Sequence, residues 1–230
     1  MVDRFKRLAP LSGVVMVAVT VLALALGTSP DVKDSAARVV QWYHNHHTAA
    51  IAQSYLFTYA GALAVLFFTS VAGYLRRCGA QVLAMTTVIG GGIMAAGFML
   101  GAGLSYTLTD HTTALSPGAA QALNYLQDDA FGFMLFAGLL VANVSMGAAM
   151  LRTKSYPMPL GVITVVVGVA AGTGFLSWPA FLASGLLTLV IAGYTYIYLG
   201  RPAEIVLPAE IPAARTSEET APRSRARTKA

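Results

Sequence analysis

Residues 80–106 read AQVLAMTTVIGGGIMAAGFMLGAGLSY, 27 consecutive positions without a charged side chain. A hydrocarbon core about 30 Å thick takes roughly 20 apolar residues to cross as a helix, and inside lipid every backbone polar group must find its partner within the segment. That stretch is long enough. Five more charge-free runs accompany it, at 9–26, 49–75, 130–151, 157–176 and 179–199. None of them alternates polar and apolar residues with period two, so a barrel is a poor fit and each run is read as a helix. The expected fold class is an all-α integral membrane protein with six transmembrane helices and two short extracytoplasmic helices.

Composition agrees with that solvent. The 230 residues are 56% hydrophobic and only 11% charged, where ordinary soluble domains carry about 25% charge, and the mean hydropathy is +0.65. The formal net charge of +5 would suggest nucleic acid in a soluble chain, but here the cations follow topology. Arg4, Lys6 and Arg7 precede the first run, Arg76 and Arg77 follow the second, Arg152 and Lys154 follow the fourth, and Arg201 opens the tail; only Lys33 and Arg38 fall in the alternate gaps. Short cytoplasmic loops retain Lys and Arg during insertion. This predicts a multi-pass protein of the cell (cytoplasmic) membrane with both termini cytoplasmic, loops 27–48, 107–129 and 177–178 outside, the lipid bilayer as partner and no nucleic-acid partner. Ala25-Leu26-Gly27 behind the basic start also fits a signal-peptide cleavage point, although the first run exceeds the usual 7–15-residue h-region and favours a retained anchor. The single Cys78 has no partner for a disulfide; it is either an incidental thiol or one made reactive by Arg76 and Arg77.

Organisation follows from capping chemistry. Ser29-Pro30 and Ser116-Pro117 each place a capping residue before a proline suited to the first helical position. Each is expected to start a short outer helix that lies on the membrane or leads into the next span. The first carries an apolar stripe at Ala36, Val39, Val40 and Tyr43, and the second carries Ala119, Leu123 and Leu126. Gly97 with Gly101, Gly168 with Gly172, and the triplet Gly90-Gly91-Gly92 allow helix backbones to approach closely, either within one bundle or in a homo-oligomer. Residues 1–200 are read as the transmembrane domain. Residues 201–230, with Pro202, Pro208, Pro212, Pro222 and several glutamates, are read as a disordered cytoplasmic tail, whose Arg223, Arg225, Arg227 and Lys229 suit anionic headgroups.

Chemistry-bearing residues collect outside. His44, His46 and His47 share one loop, and His111 stands beside Asp110 in the next. If the first outer helix continues into the second span, His44 and His47 sit at i and i+3 on one face. With Asp110 and His111 they form a candidate extracytoplasmic divalent-metal or proton site, because imidazoles with one or two carboxylates suit such ions. Asp128 and Asp129, at the mouth of the fourth span, are the candidate proton or ion entrance, since a carboxylate at the membrane boundary is partly desolvated. Within the spans Asn143 with Ser145 is the most central polar pair, and interhelical hydrogen bonding accounts for it. No nucleophile elbow, phosphate loop, dinucleotide fingerprint or intramembrane histidine is present, so neither enzymatic activity nor a bound cofactor is expected beyond that metal.

The order of these features resembles a family of small uncharacterised six-helix, multi-span membrane proteins of actinobacteria. Ser35-Ala-Ala-Arg-Val-Val-Gln-Trp-Tyr43 with a following histidine, Ala122-Leu123 through Asp128-Asp129-Ala130-Phe131, and Tyr156-Pro-Met-Pro-Leu-Gly161 carry the likeness. It covers most of residues 10–200 and implies a six-helix fold with no established activity, substrate or cofactor. The resulting expectation is a non-catalytic accessory or sensing component whose outer loops meet an ion or a membrane-protein partner. A small transporter or channel-like protein entered at Asp128 or Asp129 is the alternative. A continuous polar cavity from Asp129 to Asn143 would favour transport.

Overall fold

The long charge-free runs do form helices. A computed structural model describes residues 8–27 and 29–199, the last by its backbone, and among these no strand occurs. A 3₁₀ turn at Ala9–Leu11 leads into α1 (Ser12–Ala25), followed by α2 (Ala36–Asn45), α3 (His47–Arg77), α4 (Gln81–Asp110), α5 (Pro117–Thr153), α6 (Met158–Ala171) and α7 (Ser177–Leu199). The chain divides into two units, Met1–Gly200 and Arg201–Ala230. The expected tail, and the basic residues Arg4, Lys6 and Arg7, lie outside the described residues.

Four helices, α3, α4, α5 and α7, are long and apolar enough to cross a membrane. The apolar helices Ala9–Ala25 and Met158–Ala171 are shorter; at 1.5 Å per residue they reach about 25 and 21 Å. The fifth run ends early because Gly172-Thr173-Gly174 stops it, with Gly174 at φ 77, a left-handed conformation in which a side chain is strained.

The two expected outer helices turn out differently. Only α2 is a separate short helix, and it starts at Ala36 rather than behind Pro30. Asp31 Oδ1 accepts from the Lys33 amide at 2.8 Å and Asp34 Oδ2 from the Asp31 amide at 3.1 Å, local turns that compete with helix for the same donors. The second expected outer helix is the opening of α5. Ser116 does cap it, its hydroxyl accepting from the Ala119 amide at 3.3 Å with Pro117 in the first turn, but no proline interrupts the chain until Pro157. One helix of 37 residues results.

Short links make neighbours antiparallel. Between α3 and α4 the Ala80 amide donates to Leu75 O and the Gly79 amide to Arg76 O, both at 3.1 Å, with Gly79 at φ 95; this six-to-one closure is the usual glycine stop of a helix. The membrane-length helices and the two shorter ones pack in a closed circuit, α1 on α3, then α4, α5, α6, α7 and back to α1. Phe67, Phe68, Phe98, Leu135, Met146 and Ile191 fill its core. A smaller cluster of Val39, Tyr43, Ala50, Leu108 and Ala120 seats α2 at one end.

Glycine makes the tightest seams. A Cβ at Gly90 would lie 2.4 Å from the Ala142 nitrogen, one at Gly138 2.4 Å from the Met94 nitrogen, and one at Gly147 2.7 Å from Gly161 O. Gly97, Gly101, Gly168 and Gly172 likewise face neighbours within the chain. Central polar groups are spent between helices. The Thr87 and Ser145 hydroxyls meet at 3.0 Å across α4 and α5, and Asn143 donates through Nδ2 to the Ser184 hydroxyl at 2.8 Å. Asn143 and Ser145 therefore bond to different partner helices.

Candidate functional site

Charge is segregated by the helix ends. Arg76, Arg77, Arg152 and Lys154 flank the α3–α4 and α5–α6 links, whereas all four histidines, Asp31, Asp34, Asp110, Asp128 and Asp129 lie at the opposite end with Lys33 and Arg38. Lys33 is exposed there, and Arg38 is engaged with Asp34 at 3.3 Å.

The floor of this end is the seat of α2. Tyr43 is buried, its phenol directing its one proton to Gln127 Oε1 at 3.0 Å, with Asn124 Oδ1 beside it at 3.5 Å. Asn124 Nδ2 donates to Pro30 O at 3.4 Å and Gln121 Nε2 to Asp34 O at 3.2 Å. One face of α5 thus staples the preceding loop from two sides. Burial pushes the Tyr43 phenol far above its ordinary value, so it acts as a neutral donor. From α3, Gln53 Nε2 donates at 2.9 Å to both Ala23 O and Gly27 O, the first of which also accepts from the Leu26 amide at 3.3 Å, and so ties α3 to the end of α1. Reading the sequence missed Gln121, Asn124 and Gln127. The available signal was the spacing of 121, 124 and 127–128, which lines one side of a helix.

The histidines are not gathered. The helix breaks at His46 (φ −112, ψ 22), where the ring stacks on Trp42 with centroids 4.6 Å apart and Nδ1 lies 2.9 Å from Trp42 O. His44 lies in the last turn of α2 and His47 starts α3, so the continuous i, i+3 face expected for them does not form. His111 Nε2 is 3.7 Å from Asp110 Oδ2, both groups being well exposed. Among the described residues no group of three or more His, Cys, Asp or Glu is placed to hold a metal ion.

Asp128 and Asp129 are placed differently, ahead of the apolar segment of α5. Both line an open cavity of about 390 Å³ that runs along Gly132, Phe136 and Leu140 towards the α6–α7 link. Asp128 also lines a second cavity, of about 200 Å³, with Gln53, Ser105, Gln127 and Trp178. Partial desolvation first, then the charges of Asp129 and Asp31, raise the Asp128 carboxyl above the usual carboxylate range. It holds a proton more readily than an ordinary surface aspartate. Neither of these cavities reaches Asn143, which lines a third one deeper in the bundle.

Cys78 does not match a reactive thiolate. Burial raises its thiol, outweighing hydrogen bonds from Tyr74 and Ser155 and the nearby Arg77 charge, which act the other way.

No protein-family model, curated protein or solved structure matches the chain, so the site stands on these residues alone.

Proposed function

We propose that the chain is a protein of the cytoplasmic membrane that crosses it six times with both termini inside, and that it serves as a non-catalytic accessory or sensing component through its outer face. Exposed Val14, Val15, Val21 and Leu22 on α1, and Val162, Ile163, Val166 and Val169 on α6, support counting the two shorter helices as spans. Such apolar faces are at home against lipid, and flanking residues accommodate a short span. The segregation of Arg76, Arg77, Arg152 and Lys154 from the His and Asp end supports the orientation.

One observation carries the sensing role. Asp128, proton-avid and standing in the wall between two outward cavities, shares the smaller one with Trp178. A change in its charge alters the electrostatics of both cavities at once, without chemistry. The separation of Asp129 from Asn143 into different cavities, and the mutual pairing of Thr87 with Ser145, support this reading over transport.

The test uses Trp42→Phe protein in vesicles, leaving Trp178 as the only fluorophore of its kind. Its emission is expected to follow outer pH, and Asp128→Asn is expected to abolish that response. A proton or cation flux that depends on Asp128 would favour the transporter instead, and a pH-silent Trp178 removes the sensing role.

A further inference from the structure

Deep in the bundle, where α1, α3, α4, α5 and α7 meet, lies a third cavity, of about 290 Å³, close to the lower limit of small-molecule sites. Its walls are mainly aliphatic and aromatic, among them Met16, Phe68, Met94 and Phe181. Asn143 marks its depth: it lies near the middle of the apolar part of α5, about 21 Å along the helix from Asp129. Val21, Leu182 and Leu186 line it from the outside of the bundle, each well exposed. Its mouth therefore faces sideways, between α1 and α7.

The polar groups of this cavity are unlike those elsewhere in the core. Buried threonines in a helix normally satisfy the hydroxyl on the carbonyl four residues back. Thr87, Thr109, Thr164 and Thr195 all do so here. Thr20 and Thr188 do not. Both are more than nine-tenths buried, at 8% and 7% exposure, and neither hydroxyl has a hydrogen-bond partner among the described residues. Because no sealed side-chain oxygen or nitrogen is left unpaired there, these hydroxyls open onto the cavity they line. The same holds for the Oδ1 of Asn143, whose Nδ2 alone is used, on Ser184. The Ser184 hydroxyl accepts that bond and keeps its own proton to donate.

We infer that this cavity is a binding site for an uncharged amphiphile dissolved in the bilayer, a molecule with one hydroxyl or carbonyl head on a long apolar body. Three hydroxyl donors and one amide carbonyl line this cavity and no charged side chain does, which selects a neutral head with both donor and acceptor capacity. The aliphatic wall selects the body, and the mouth between α1 and α7 admits it from the lipid. Sideways admission rests on the membrane reading; it does not involve Asp128, so the two ideas fail separately.

Gly185 offers a clean way to close the site. It lines the cavity, and a Cβ built there meets nothing within 4 Å. Protein in phosphatidylcholine vesicles is irradiated with a sixteen-carbon primary alcohol carrying a diazirine in its chain, or with the matching diazirine alkane, and labelled peptides are mapped. The alcohol is expected to label 139–143 and 181–188 about tenfold more than the alkane, and unlabelled hexadecanol is expected to compete. Gly185→Leu should remove that preference by filling the space. The Thr20→Val, Thr188→Val double variant should also lose most of it while melting no lower than the parent, since the removed hydroxyls bond to nothing in the fold. Equal labelling by alcohol and alkane in the parent protein, as expected of a cavity filled by water or by bulk acyl chains, overturns the inference. So does an alcohol preference that survives Gly185→Leu.

Discussion

The α4–α5 seam and the α1–α7 side of the same bundle both contain glycine, with opposite results. At the seam, Gly90, Gly97, Gly101 and Gly138 bring two helices so close that a single methyl group would strike backbone or ring atoms. On α7, Gly185 and Gly193 have nothing within 4 Å of where a Cβ would stand, and beside Gly185 lies a cavity. A small residue shortens the distance between helices only when the facing residue is also small or flat. Gly90 faces Ala142, and Gly138 faces Met94 backbone with Gly90 O beside it. Where the surrounding residues are long and branched, as Leu182 and Leu186 are, the missing side chain leaves space.

The harshest way to break this contrast is to add one carbon at the seam. Gly138→Ala or Gly90→Ala places a methyl 2.4 Å from a backbone nitrogen, and overpacking of this kind costs about 1–3 kcal/mol or more. The melting temperature in detergent is expected to fall by on the order of 5–10 °C. Gly185→Ala, the control, should stay within about 1 °C of the parent. A smaller loss is expected where α2 is held by hydrogen bonds instead of by glycine contacts. Tyr43→Phe removes a buried donor to Gln127 and should cost about 1 kcal/mol, read as faster proteolysis between Asp31 and Asn45 with the remaining helices intact.

Interior hydroxyls sharpen the comparison further. A double-mutant cycle of Thr87→Val and Ser145→Ala is expected to give a coupling near 0.6 kcal/mol, the usual size of an interhelical hydrogen bond in a membrane protein. Thr188→Val should cost nothing. A small effect is also expected at Asp128. Its folded-state affinity for a proton is raised, so the native state binds more protons than the unfolded chain between the ordinary carboxylate value and the raised one, and stability falls as pH climbs through that window. Asp128→Asn should therefore melt slightly higher at neutral pH, on the order of 1 °C, with the difference closing as pH drops towards about 4.

Particular residues mark how far reading the chain could reach. Ser116 and Pro117 announced a helix start, and the apolar stripe of Val39 and Tyr43 announced which side of α2 is buried; both are local patterns with one physical outcome. Ser29-Pro30 carries the same signal and starts no helix, because Asp31 and Asp34 capture the nearby amides. The His44–His47 pairing depended on a helix continuing through His46, and stacking of that ring on Trp42 accompanies the break there. Nothing in the order of residues announces that Asp128 stands between two cavities.

Long apolar helices, the Ser116 cap, and the separation of Arg76, Arg77, Arg152 and Lys154 from the histidines and aspartates were set by sequence alone, because hydropathy, capping and charge act over one turn or one span of chain. Which glycines close a seam, which threonines keep a hydroxyl open, and which aspartate resists ionisation were decided only when six helices packed in a circuit. Each of these depends on side chains brought up from distant helices, and a one-dimensional pattern does not encode those distances.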